Sequence, residues 1–529
     1  MQPVMNLGRL LSDVARRLPD RPGLTWREST WTWAELDRRA GAMAAALAAL
    51  GLMKGERVLV QARNSNQLFE SAWTSFKLGA VWVPVNFRLA PDEVAFEARH
   101  SGARAMIYDR GFAEHVDMSR AAAPSLEHVI AIEAPREGEH GYEALVAAHA
   151  EAPAGEAEVR YDDPLWFFYT SGTTGRPKAA VLTHGQMAFV VVNHLADLMP
   201  GLDETHASLV VAPLSHGAGI HAMANVARGA KSVLMPGERL DEAEAWRLIE
   251  RHRITNMFTV PTILKRLVEH PAVDRADHGS LRHVIYAGAP MYREDQKRAL
   301  NKLGPVLVQY YGLGEVTGNI TVLPPRLHRL DDDPEARVGS CGFARTGMEI
   351  AILDPDGRRL GAGEEGEICT RGPGVFAGYY NDPEANAKAL EGGWFHTGDL
   401  GHMDEAGFLF ITGRASDMYI SGGANVYPRE AEEVLLEHPA VAEVAVLGVP
   451  DRKWGESGVA VVVAAGPASE ADIIGWLDGR LAKYKWPRRV IFWDALPTSG
   501  YGKVPKHLIR RQLFERGELE PGPAESVSR

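Results

Sequence analysis

The chain has 529 residues, of which 45% are hydrophobic and 24% are charged, and its formal net charge is −12. One hydrophobic core does not extend over such a length, so we expect at least two domains. The acidic balance disfavours a nucleic-acid partner, and no apolar stretch is long enough to predict stable membrane insertion. No leader-like apolar segment follows the arginines near the N-terminus, so a cytoplasmic location is expected.

The sequence contains two cysteines, Cys341 and Cys369. Their positions show no metal-ligand spacing, and two residues do not make a disulfide framework. We therefore expect both to be reduced, buried thiols.

The first part of the chain alternates predicted helices and strands. Thr32 and Glu35 form a capping-box pattern at the start of a helix, and Gly51 is a plausible stop for it. The following segments are predicted as a strand over 57–62, a helix ending near Gly79, a strand over 81–85, a helix from about 92 and a strand over 103–108. This alternation predicts a parallel sheet wrapped by helices. Residues 110–163 are rich in alanine and glutamate and are expected to form surface helices and loops.

The next stretch, residues 169–180, reads YTSGTTGRPKAA and follows an apolar run typical of a buried strand. Backbone N–H groups and hydroxyls in such a turn, closed by Lys178, predict a cradle for phosphate oxygens. The pattern is not a Walker loop, because Gly175 is followed by Arg176 and Pro177. Pro177 lacks an N–H and disfavours a helix beginning at the glycine. We therefore predict a triphosphate-binding loop of non-Walker type.

Two further regions are predicted beyond this loop. A second α/β stretch covers residues 184–324, with strands over 208–212, 231–235, 256–260, 283–287 and 306–310. Strands over 349–353 and 366–371 flank an Asp-Pro-Asp-Gly turn and predict a small β-rich subdomain. A compact α+β unit is predicted beyond 413–417, with a helix over 429–437 and strands over 441–448 and 459–464.

Residues 309–315 read QYYGLGE and have two interpretations. Gly312, Gly314 and Gly318 are compatible with a variant dinucleotide fingerprint, which would predict an NAD(P)-dependent oxidoreductase. That fingerprint requires a following helix and an acidic residue about 20 positions further on, and both are hard to place here. The other interpretation is a nucleotide motif of the family to which the phosphate loop points.

The loop sequence TSGTTGRPK resembles the phosphate loop of the adenylate-forming (AMP-binding) superfamily, and more motifs follow in that family's order. Tyr311, Gly312 and Glu315 match its Tyr-Gly-x-Thr-Glu motif. A Thr-Gly-Asp sequence ends at Asp399, fifteen residues before Arg414. The resemblance extends over about residues 25 to 515 and is of the acyl-CoA synthetase, or fatty-acid–CoA ligase, type.

The resemblance implies an α/β fold in two domains. Residues 1–413 would form a large N-terminal adenylation domain, with mixed and parallel sheets wrapped by helices and a small β subdomain. Residues 414–417 would be a hinge, and residues 418–529 a smaller, mobile α+β C-terminal domain carrying the catalytic lysine. Ser416 stands at the hinge position, where the family usually has Asp or Lys.

The resemblance also implies an ATP and AMP site. In relatives the motif tyrosine lies on the adenine, and the Thr-Gly-Asp carboxylate accepts both ribose hydroxyls. Lys503, Lys178 and Glu315 would be the catalytic residues, and Thr173 and Glu315 would hold Mg²⁺. The residues that match nucleotide-binding positions are Thr170, Ser171, Gly172, Thr173, Thr174, Gly175, Lys178, Gly288, Ala289, Pro290, Tyr310, Tyr311, Gly312, Glu315, Asp399, Arg414 and Lys503.

The chain departs from the family motif at Gly314, where relatives usually have a threonine that contacts the α-phosphate. Either Thr317 or backbone N–H groups replace that contact, or the space is given to the substrate. Small residues dominate the matching acyl-pocket positions, so we expect a wide, mostly apolar pocket. Those positions are His216, Gly217, Ala218, Gly288, Gly312, Leu313 and Gly314. An aromatic or short- to medium-chain aliphatic acid is therefore expected.

The implied reaction joins a carboxylate and ATP into acyl-AMP and pyrophosphate, after which a thiol displaces AMP. Residues 212–219 contain no acid that would pair a substrate amino group, and no carrier-protein motif follows the C-terminal unit, so coenzyme A is the expected thiol. Ser421, Gly422 and Gly423 would line its channel. A carrier-protein thiol, luciferase-like chemistry, a non-catalytic nucleotide sensor and the oxidoreductase stay as alternatives. A homodimer is compatible with the sequence.

Overall fold

Helices and strands alternate along most of the chain. The structure is a computed structural model that describes residues 3–170, 177–237, 239–289, 291–332, 336–414, 417–421, 424–451, 454–497 and 506–519. In chain order, the helices are α1 (Arg9–Arg17), α2 (Trp33–Ala49), α3 (Asn66–Leu78), α4 (Pro91–Ser101), α5 (Ala113–Ala122), α6 (Tyr142–Ala148), α7 (His184–Asn193), α8 (Gly217–Arg228), α9 (Glu242–His252), α10 (Pro261–Glu269), α11 (Arg293–Leu303), α12 (Pro383–Ala389), α13 (Pro428–Leu436), α14 (Glu470–Gly475) and α15 (Lys506–Glu515).

The strands follow the same numbering convention. They are β1 (Pro3–Val4), β2 (Pro22–Trp26), β3 (Ser29–Thr32), β4 (Arg57–Gln61), β5 (Val81–Pro84), β6 (Ala105–Tyr108), β7 (His128–Ala131), β8 (His140–Gly141), β9 (Val159–Arg160), β10 (Pro164–Thr170), β11 (Lys178–Thr183), β12 (Ala207–Val210), β13 (Lys231–Leu234), β14 (Asn256–Thr259), β15 (His283–Tyr286), β16 (Leu307–Tyr311), β17 (Thr321–Leu323), β18 (Ser340–Ala344), β19 (Glu349–Leu353), β20 (Gly366–Arg371), β21 (Phe395–Met403), β22 (Phe408–Arg414), β23 (Tyr419–Ser421), β24 (Ala424–Val426), β25 (Val441–Asp451), β26 (Gly455–Ala464) and β27 (Arg489–Phe492).

The first sheet has seven strands in the order β11-β10-β5-β4-β6-β7-β8. Its strands are parallel except for β11, which pairs antiparallel with β10. The predicted capping box of α2 is present, since Thr32 accepts from the Glu35 N–H. Gly79 ends α3 in the left-handed conformation that glycine favours. The predicted parallel sheet with covering helices is confirmed.

One prediction for the first sheet is wrong. Residues 110–163 contain β7, which pairs in parallel with β6 and carries the buried residues Val129, Ile130 and Ala131. The expectation of helices and loops alone missed this strand because its apolar run is only four residues long. Such a short run has too few positions for a period to be recognised.

The second sheet has thirteen strands in the order β19-β20-β21-β22-β18-β17-β16-β15-β14-β12-β13-β2-β3. All five strands predicted over 184–324 are present as β12 to β16. The strands predicted over 349–353 and 366–371 pair antiparallel as β19 and β20. However, β18 to β22 continue the same sheet through β17, so the predicted β-rich subdomain shares its hydrogen bonding with the parallel region.

A third sheet lies beyond the predicted boundary, with strand order β24-β23-β26-β25 and β27 paired to β26. The predicted helix over 429–437 is α13, and the two predicted strands lie within β25 and β26. These elements have their own core, which includes Val446, Val462 and Ile473. The predicted class, an α/β protein with an additional α+β unit, is confirmed. Among the described residues, none of the helices has the length and apolar composition needed to cross a membrane.

The two large sheets share one hydrophobic core, which positions the ends of their strands. Trp82 of β5 and Trp166 of β10 pack with ring centroids 4.6 Å apart. Both belong to a cluster that also contains Ile285 of β15 and Val308 of β16. Side chains at the carboxyl ends of β10 and β16 therefore meet at one edge of this core.

Candidate active site

Asp399 is the centre of the first group of predicted site residues. It pairs directly with Arg414 across the antiparallel strands β21 and β22. The Arg414 Nε lies 3.0 Å from Asp399 Oδ1, and the Tyr311 hydroxyl at the end of β16 donates to Asp399 Oδ2 over 2.6 Å. Three residues assigned to the nucleotide from separate motifs are thus brought together.

Burial and neighbouring charges shape the electrostatics of this group. Asp399 is 5% exposed. Burial, followed by the nearby Asp399 charge, raises the pKa of the Tyr311 phenol well above its usual value, so the hydroxyl stays a neutral donor. The Asp399 carboxylate in turn raises the pKa of the Arg414 guanidinium. The result is a carboxylate acceptor between two donors, which suits the recognition of a diol.

Glu315 forms the second group, four residues beyond Tyr311. It lies in a short 3-10 turn, Gly314–Val316, and is 5% exposed. Its Oε1 accepts hydrogen bonds from the Thr170 hydroxyl at 3.0 Å and from the Tyr379 hydroxyl at 2.9 Å. Among the described residues, both side-chain hydrogen bonds to this carboxylate end on Oε1, which leaves Oε2 for another partner. The contact with Thr170 joins the first sheet to the second.

Lys178 lies opposite Thr170 in the register of β10 and β11. Its Nζ is 3.6 Å from Asp382 Oδ2 and 5.2 Å from the centroid of the Tyr379 ring. Because an antiparallel strand follows the loop, the prediction that the loop is not at a helix N-terminus is confirmed. The loop itself, with Ser171, Gly172, Thr173, Thr174 and Gly175, lies outside the described residues.

The sequence interpretation missed Tyr379 and Asp382. The segment that carries them runs beside β11, where the Tyr380 N–H donates to Ala179 O at 2.9 Å and the Ala377 N–H to Val181 O at 3.0 Å. Asp382 caps α12 by accepting from the Ala385 N–H. An Asp-Pro helix start is visible in the sequence, but it does not reveal which strand the preceding residues contact.

The predicted acyl-pocket residues lie around two aromatic rings. His216 meets the half-buried Phe168 edge to face, with ring centroids 5.3 Å apart. Its Nδ1 lies 2.9 Å from the Ser215 hydroxyl. At Gly217, a Cβ would lie 2.7 Å from Cζ of Phe258, so the helix backbone touches that ring. Ala218 is buried beside it, and Leu313 packs against the same core.

Gly314 has a steric explanation in the structure. A Cβ at this position would lie 2.7 Å from Cδ1 of Phe168 and 2.9 Å from Cγ2 of Thr170. The space is therefore filled by protein side chains and is not given to the substrate. Thr317 offers no simple replacement, because it is buried and its hydroxyl donates to Val316 O over 2.6 Å.

This packing predicts the effect of restoring the family's threonine. We expect Gly314→Thr to lower the free energy of unfolding by ~1–3 kcal/mol, as overpacking does, and to reduce ATP–pyrophosphate exchange. Adding Phe168→Leu should recover part of both losses, because the two sites are in contact. Thermal unfolding and exchange rates measure the effects. Gly466→Thr, at a glycine with nothing within 4 Å of its added Cβ, is the control. Additive losses in the double variant would contradict the steric explanation.

Tyr310 and Tyr311 face opposite sides of β16, as neighbours in a strand do. The Tyr310 ring stacks on Phe258, with centroids 6.0 Å apart, and is 8% exposed. Burial raises its pKa. The structure therefore places Tyr310 with the candidate acyl residues, whereas the prediction assigned it to ATP. Only Tyr311 of the pair reaches the Asp399 group.

The glycines of the dinucleotide interpretation have another explanation. A Cβ at Gly312 would lie 2.5 Å from the backbone of Gly318, so the loop folds tightly on itself. After β16 the chain makes a three-residue 3-10 turn and enters the antiparallel strand β17. The described residues 312–323 thus lack the helix that binds pyrophosphate in a dinucleotide fold, which removes the basis of the oxidoreductase alternative.

The remaining predicted positions are placed in part. Gly288 has a φ of +84° just after β15, and Ala289 follows it at the edge shared with β16. Ser421 is 7% exposed and pairs with Ala424 in the β23–β24 hairpin. Several predicted residues lie outside the described residues and stay predictions: Pro290, Ser416, Gly422, Gly423 and Lys503.

Comparison with known proteins agrees with this geometry. The family model described as AMP-binding enzyme matches residues 11–380, and the model of the AMP-binding enzyme C-terminal domain matches residues 430–503. The chain therefore belongs to the AMP-binding enzyme family.

Similar proteins cover nearly the whole chain. Feruloyl-CoA synthase from Amycolatopsis sp is 37% identical, over 94% of this chain and 97% of that protein. The long-chain-fatty-acid–CoA ligase FadD13 from Mycobacterium tuberculosis is 36% identical, over 91% and 93%. The structure of o-succinylbenzoate CoA synthetase (MenE) from Bacillus subtilis, solved with its acyl-adenylate intermediate, has a TM-score of 0.84 and 31% identity, over 96% of this chain and 99% of that one.

Proposed function

We propose that this chain, an acid–thiol ligase of the AMP-binding family, is an AMP-forming acyl-CoA synthetase for an aromatic or short- to medium-chain aliphatic acid. The observation that carries the proposal is the convergence of Tyr311, Asp399 and Arg414, with the carboxylate of Glu315 four residues beyond Tyr311. One loop after β16 thus links Tyr311, which bonds the candidate diol-binding carboxylate, to a second carboxylate, Glu315, which bonds Thr170.

ATP would lie across these two groups. The Asp399 carboxylate accepts hydrogen bonds from the ribose hydroxyls, and Arg414 holds the ribose from the neighbouring strand. The Tyr311 ring lies beside the adenine. Lys178 and the backbone of the phosphate loop bind the β- and γ-phosphates, because a fixed cation and N–H donors suit phosphate oxygens.

Glu315 fits a magnesium ion. Mg²⁺ prefers carboxylate and phosphate oxygens, and the Glu315 carboxylate has both of its described hydrogen bonds on Oε1. Glu315, with Thr173 of the phosphate loop, would hold the ion. The ion supplies charge neutralisation of the phosphates. Thr170 and Tyr379 fix the orientation of the carboxylate that receives it.

The reaction proceeds in two displacements. A carboxylate oxygen of the acid attacks the α-phosphorus in line, the bond to the bridging oxygen breaks, and pyrophosphate leaves. The coenzyme A thiolate then attacks the acyl carbonyl carbon, and AMP leaves with the electron pair of the broken C–O bond. The protein positions both reactants and stabilises the developing charge, with Lys503 as the cation of the first step.

The packing near His216 supports a compact acid. Phe168 and Phe258 flank the small residues Gly217 and Gly314. Beyond Phe258 lies His221, a buried residue whose Nε2 is 2.7 Å from Asn256 Oδ1 and whose pKa burial lowers to about 4. A long alkyl chain continuing past Phe258 would therefore meet polar groups, whereas a flat ring beside Phe168 would not.

A carboxylate library tests this proposal. We expect CoA-thioester formation to be fastest with aromatic acids or aliphatic acids of short to medium length. Pyrophosphate release, measured with each acid, ATP and CoA, reports the preference. One relative is named for long-chain acids, so the series should extend to C16. A preference for C16 or longer acids would refute the pocket argument but leave the ligase assignment intact.

The thiol acceptor needs its own comparison. Parallel reactions with CoA, with a holo carrier protein and with no thiol, each analysed for products by mass spectrometry, separate the alternatives. Thioester formation with CoA at rates matching pyrophosphate release is the expected result. Release of acyl-AMP with CoA unused would show that another acceptor is required.

A further inference from the structure

A second cluster of reactive side chains lies on the strands that lead to Asp399. Cys369 of β20 is directly opposite His396 of β21 in the antiparallel register. Glu367 precedes Cys369 by two residues and so shares its face of the sheet. The His396 Nδ1 lies 2.8 Å from Glu367 Oε2 and 3.4 Å from Cys369 Sγ. A sulfur, a nitrogen and an oxygen thus lie within 4.8 Å of one another.

The contacts of this cluster converge on one ring nitrogen, Nδ1, since Nε2 of His396 faces Glu391 O at 3.3 Å. If Nδ1 carries the ring proton, it donates to the Glu367 carboxylate, and the thiol hydrogen of Cys369 finds no other acceptor among the described residues. If Nδ1 is unprotonated, its lone pair faces the carboxylate. One ring nitrogen is shared between the carboxylate and the sulfur, whereas a cation can accept electron pairs from all three atoms.

We propose that Glu367, Cys369 and His396 form a binding site for a thiophilic divalent cation, of which Zn²⁺ is the representative. Tetrahedral zinc has Zn–S of ~2.3 Å and Zn–N of ~2.0 Å, which places sulfur and nitrogen ~3.5 Å apart. The observed separation of 3.4 Å needs almost no change. The 2.8 Å separation between His396 Nδ1 and Glu367 Oε2 must widen to ~3.3 Å, and water can supply the fourth ligand.

The chemistry of the donors decides which ions bind. Thiolate and imidazole together favour Zn²⁺ or Co²⁺ over Mg²⁺, which prefers oxygen ligands. Burial raises the pKa of the Cys369 thiol to about 12. The metal-free protein therefore holds a protonated thiol, and binding releases that proton as the metal–sulfur bond forms. Cys369 and His396 are twenty-seven residues apart in the chain and are brought together by strand pairing. For this reason the sequence showed no metal-ligand spacing.

The cation site is connected to the candidate ribose site. Glu367 Oε1 accepts from the Gly398 N–H at 3.0 Å, and Gly398 directly precedes Asp399. Thr397, next to His396, accepts from the Asp399 N–H at 3.1 Å. An ion that draws Glu367 outward therefore displaces the turn that aims Asp399. This second effect, weaker ATP binding, rests on the proposed function, whereas cation binding does not.

Cobalt absorption tests the cation site directly. The full-length protein, freed of metal by dialysis against a chelator, is titrated with Co²⁺. We expect a thiolate-to-cobalt charge-transfer band in the near ultraviolet that saturates with one ion and disappears when Zn²⁺ is added. The band should be lost in Cys369→Ser and kept in Cys341→Ser. Cys341 is the matched control, because it is buried in the same sheet with its Sγ against Leu409 O. Circular dichroism confirms that both variants fold.

The outcomes separate the two claims. A band that is absent at saturating Co²⁺, or that survives Cys369→Ser, would overturn the cation site. If the site is present, Zn²⁺ should raise the KM for ATP in pyrophosphate exchange by ~3-fold or more with little change in kcat, the signature of lost ground-state binding. The same Zn²⁺ should leave the KM of Cys369→Ser unchanged. Equal effects of Zn²⁺ on both proteins would refute the link to Asp399 and leave the cation site itself standing.

Discussion

In the Lys503→Ala variant we expect carboxylate-dependent ATP–pyrophosphate exchange to fall by a factor of ~10²–10³, which corresponds to the ~2.7–4 kcal/mol that one positioned electrostatic group contributes to a transition state. Negative charge develops between the attacking carboxylate and the α-phosphate in the first step, and the amine is the predicted donor to it. Thioester formation from supplied acyl-adenylate and CoA should continue, since that step does not form this charge.

Two measurements on one preparation check this expectation. Exchange from ATP and thioester formation from acyl-adenylate are followed for the wild type, for Lys503→Ala and for the control Lys483→Ala. Lys483 is an exposed lysine on the same C-terminal unit. The control should behave as wild type in both assays. Exchange that survives in Lys503→Ala would show that another cation serves the first step, and equal loss in both assays would indicate a folding defect.

The Asp399→Asn variant should have the second large effect, a loss of ~100-fold in kcat/KM for ATP. Asparagine keeps the size of the side chain but removes the charge proposed to receive the ribose hydroxyls, and hydrogen bonds to charged groups contribute ~1.5–3 kcal/mol each. It also removes the negative charge that lies 3.0 Å from the Arg414 guanidinium. The loss should lie mainly in the KM for ATP, because the ribose is distant from the bond that breaks.

The control for this variant is Asp356→Asn, which changes an aspartate that is 73% exposed in the loop between β19 and β20. Its kcat/KM should stay within twofold of wild type. A second comparison uses 2′-deoxy-ATP. Replacing ATP by 2′-deoxy-ATP should lower kcat/KM less in Asp399→Asn than in the wild type, because the hydrogen bond to the 2′-hydroxyl is already weakened in the variant. An Asp399→Asn enzyme with unaltered KM for ATP would disprove the ribose assignment.

Much of the framework could be predicted from sequence because its signals are local. The capping box at Thr32 and the glycine stop at Gly79 identify helices by backbone chemistry within one turn. The spacing between Asp399 and Arg414 was interpretable through the family motif, and the β21–β22 hairpin explains it, since the two residues are cross-strand partners.

The contacts that could not be predicted depend on packing between distant segments. Phe168, which lies in another sheet, leaves no room for a side chain at position 314. The environment of Lys178 is set by Tyr379 and Asp382, two hundred residues further along the chain. Nothing in the local pattern of a glycine or a lysine encodes such a partner. Tyr310 shows a related difficulty, because alternation along a strand decides the face of a residue only when the partner sheet is known. Its assignment to ATP stays a prediction.

The pairing of Asp399 with Tyr311 and Arg414 has a further consequence for the nucleotide-free protein. A buried carboxylate without partners would be strongly destabilising, yet here a phenol and a guanidinium already occupy its two oxygens. Tyr311 and Arg414 thus supply the hydrogen bonds that the proposed ribose would otherwise supply. If Asp399 binds the ribose as proposed, an arriving nucleoside would exchange one set of hydrogen bonds for another, and the release of AMP would not leave the carboxylate without partners.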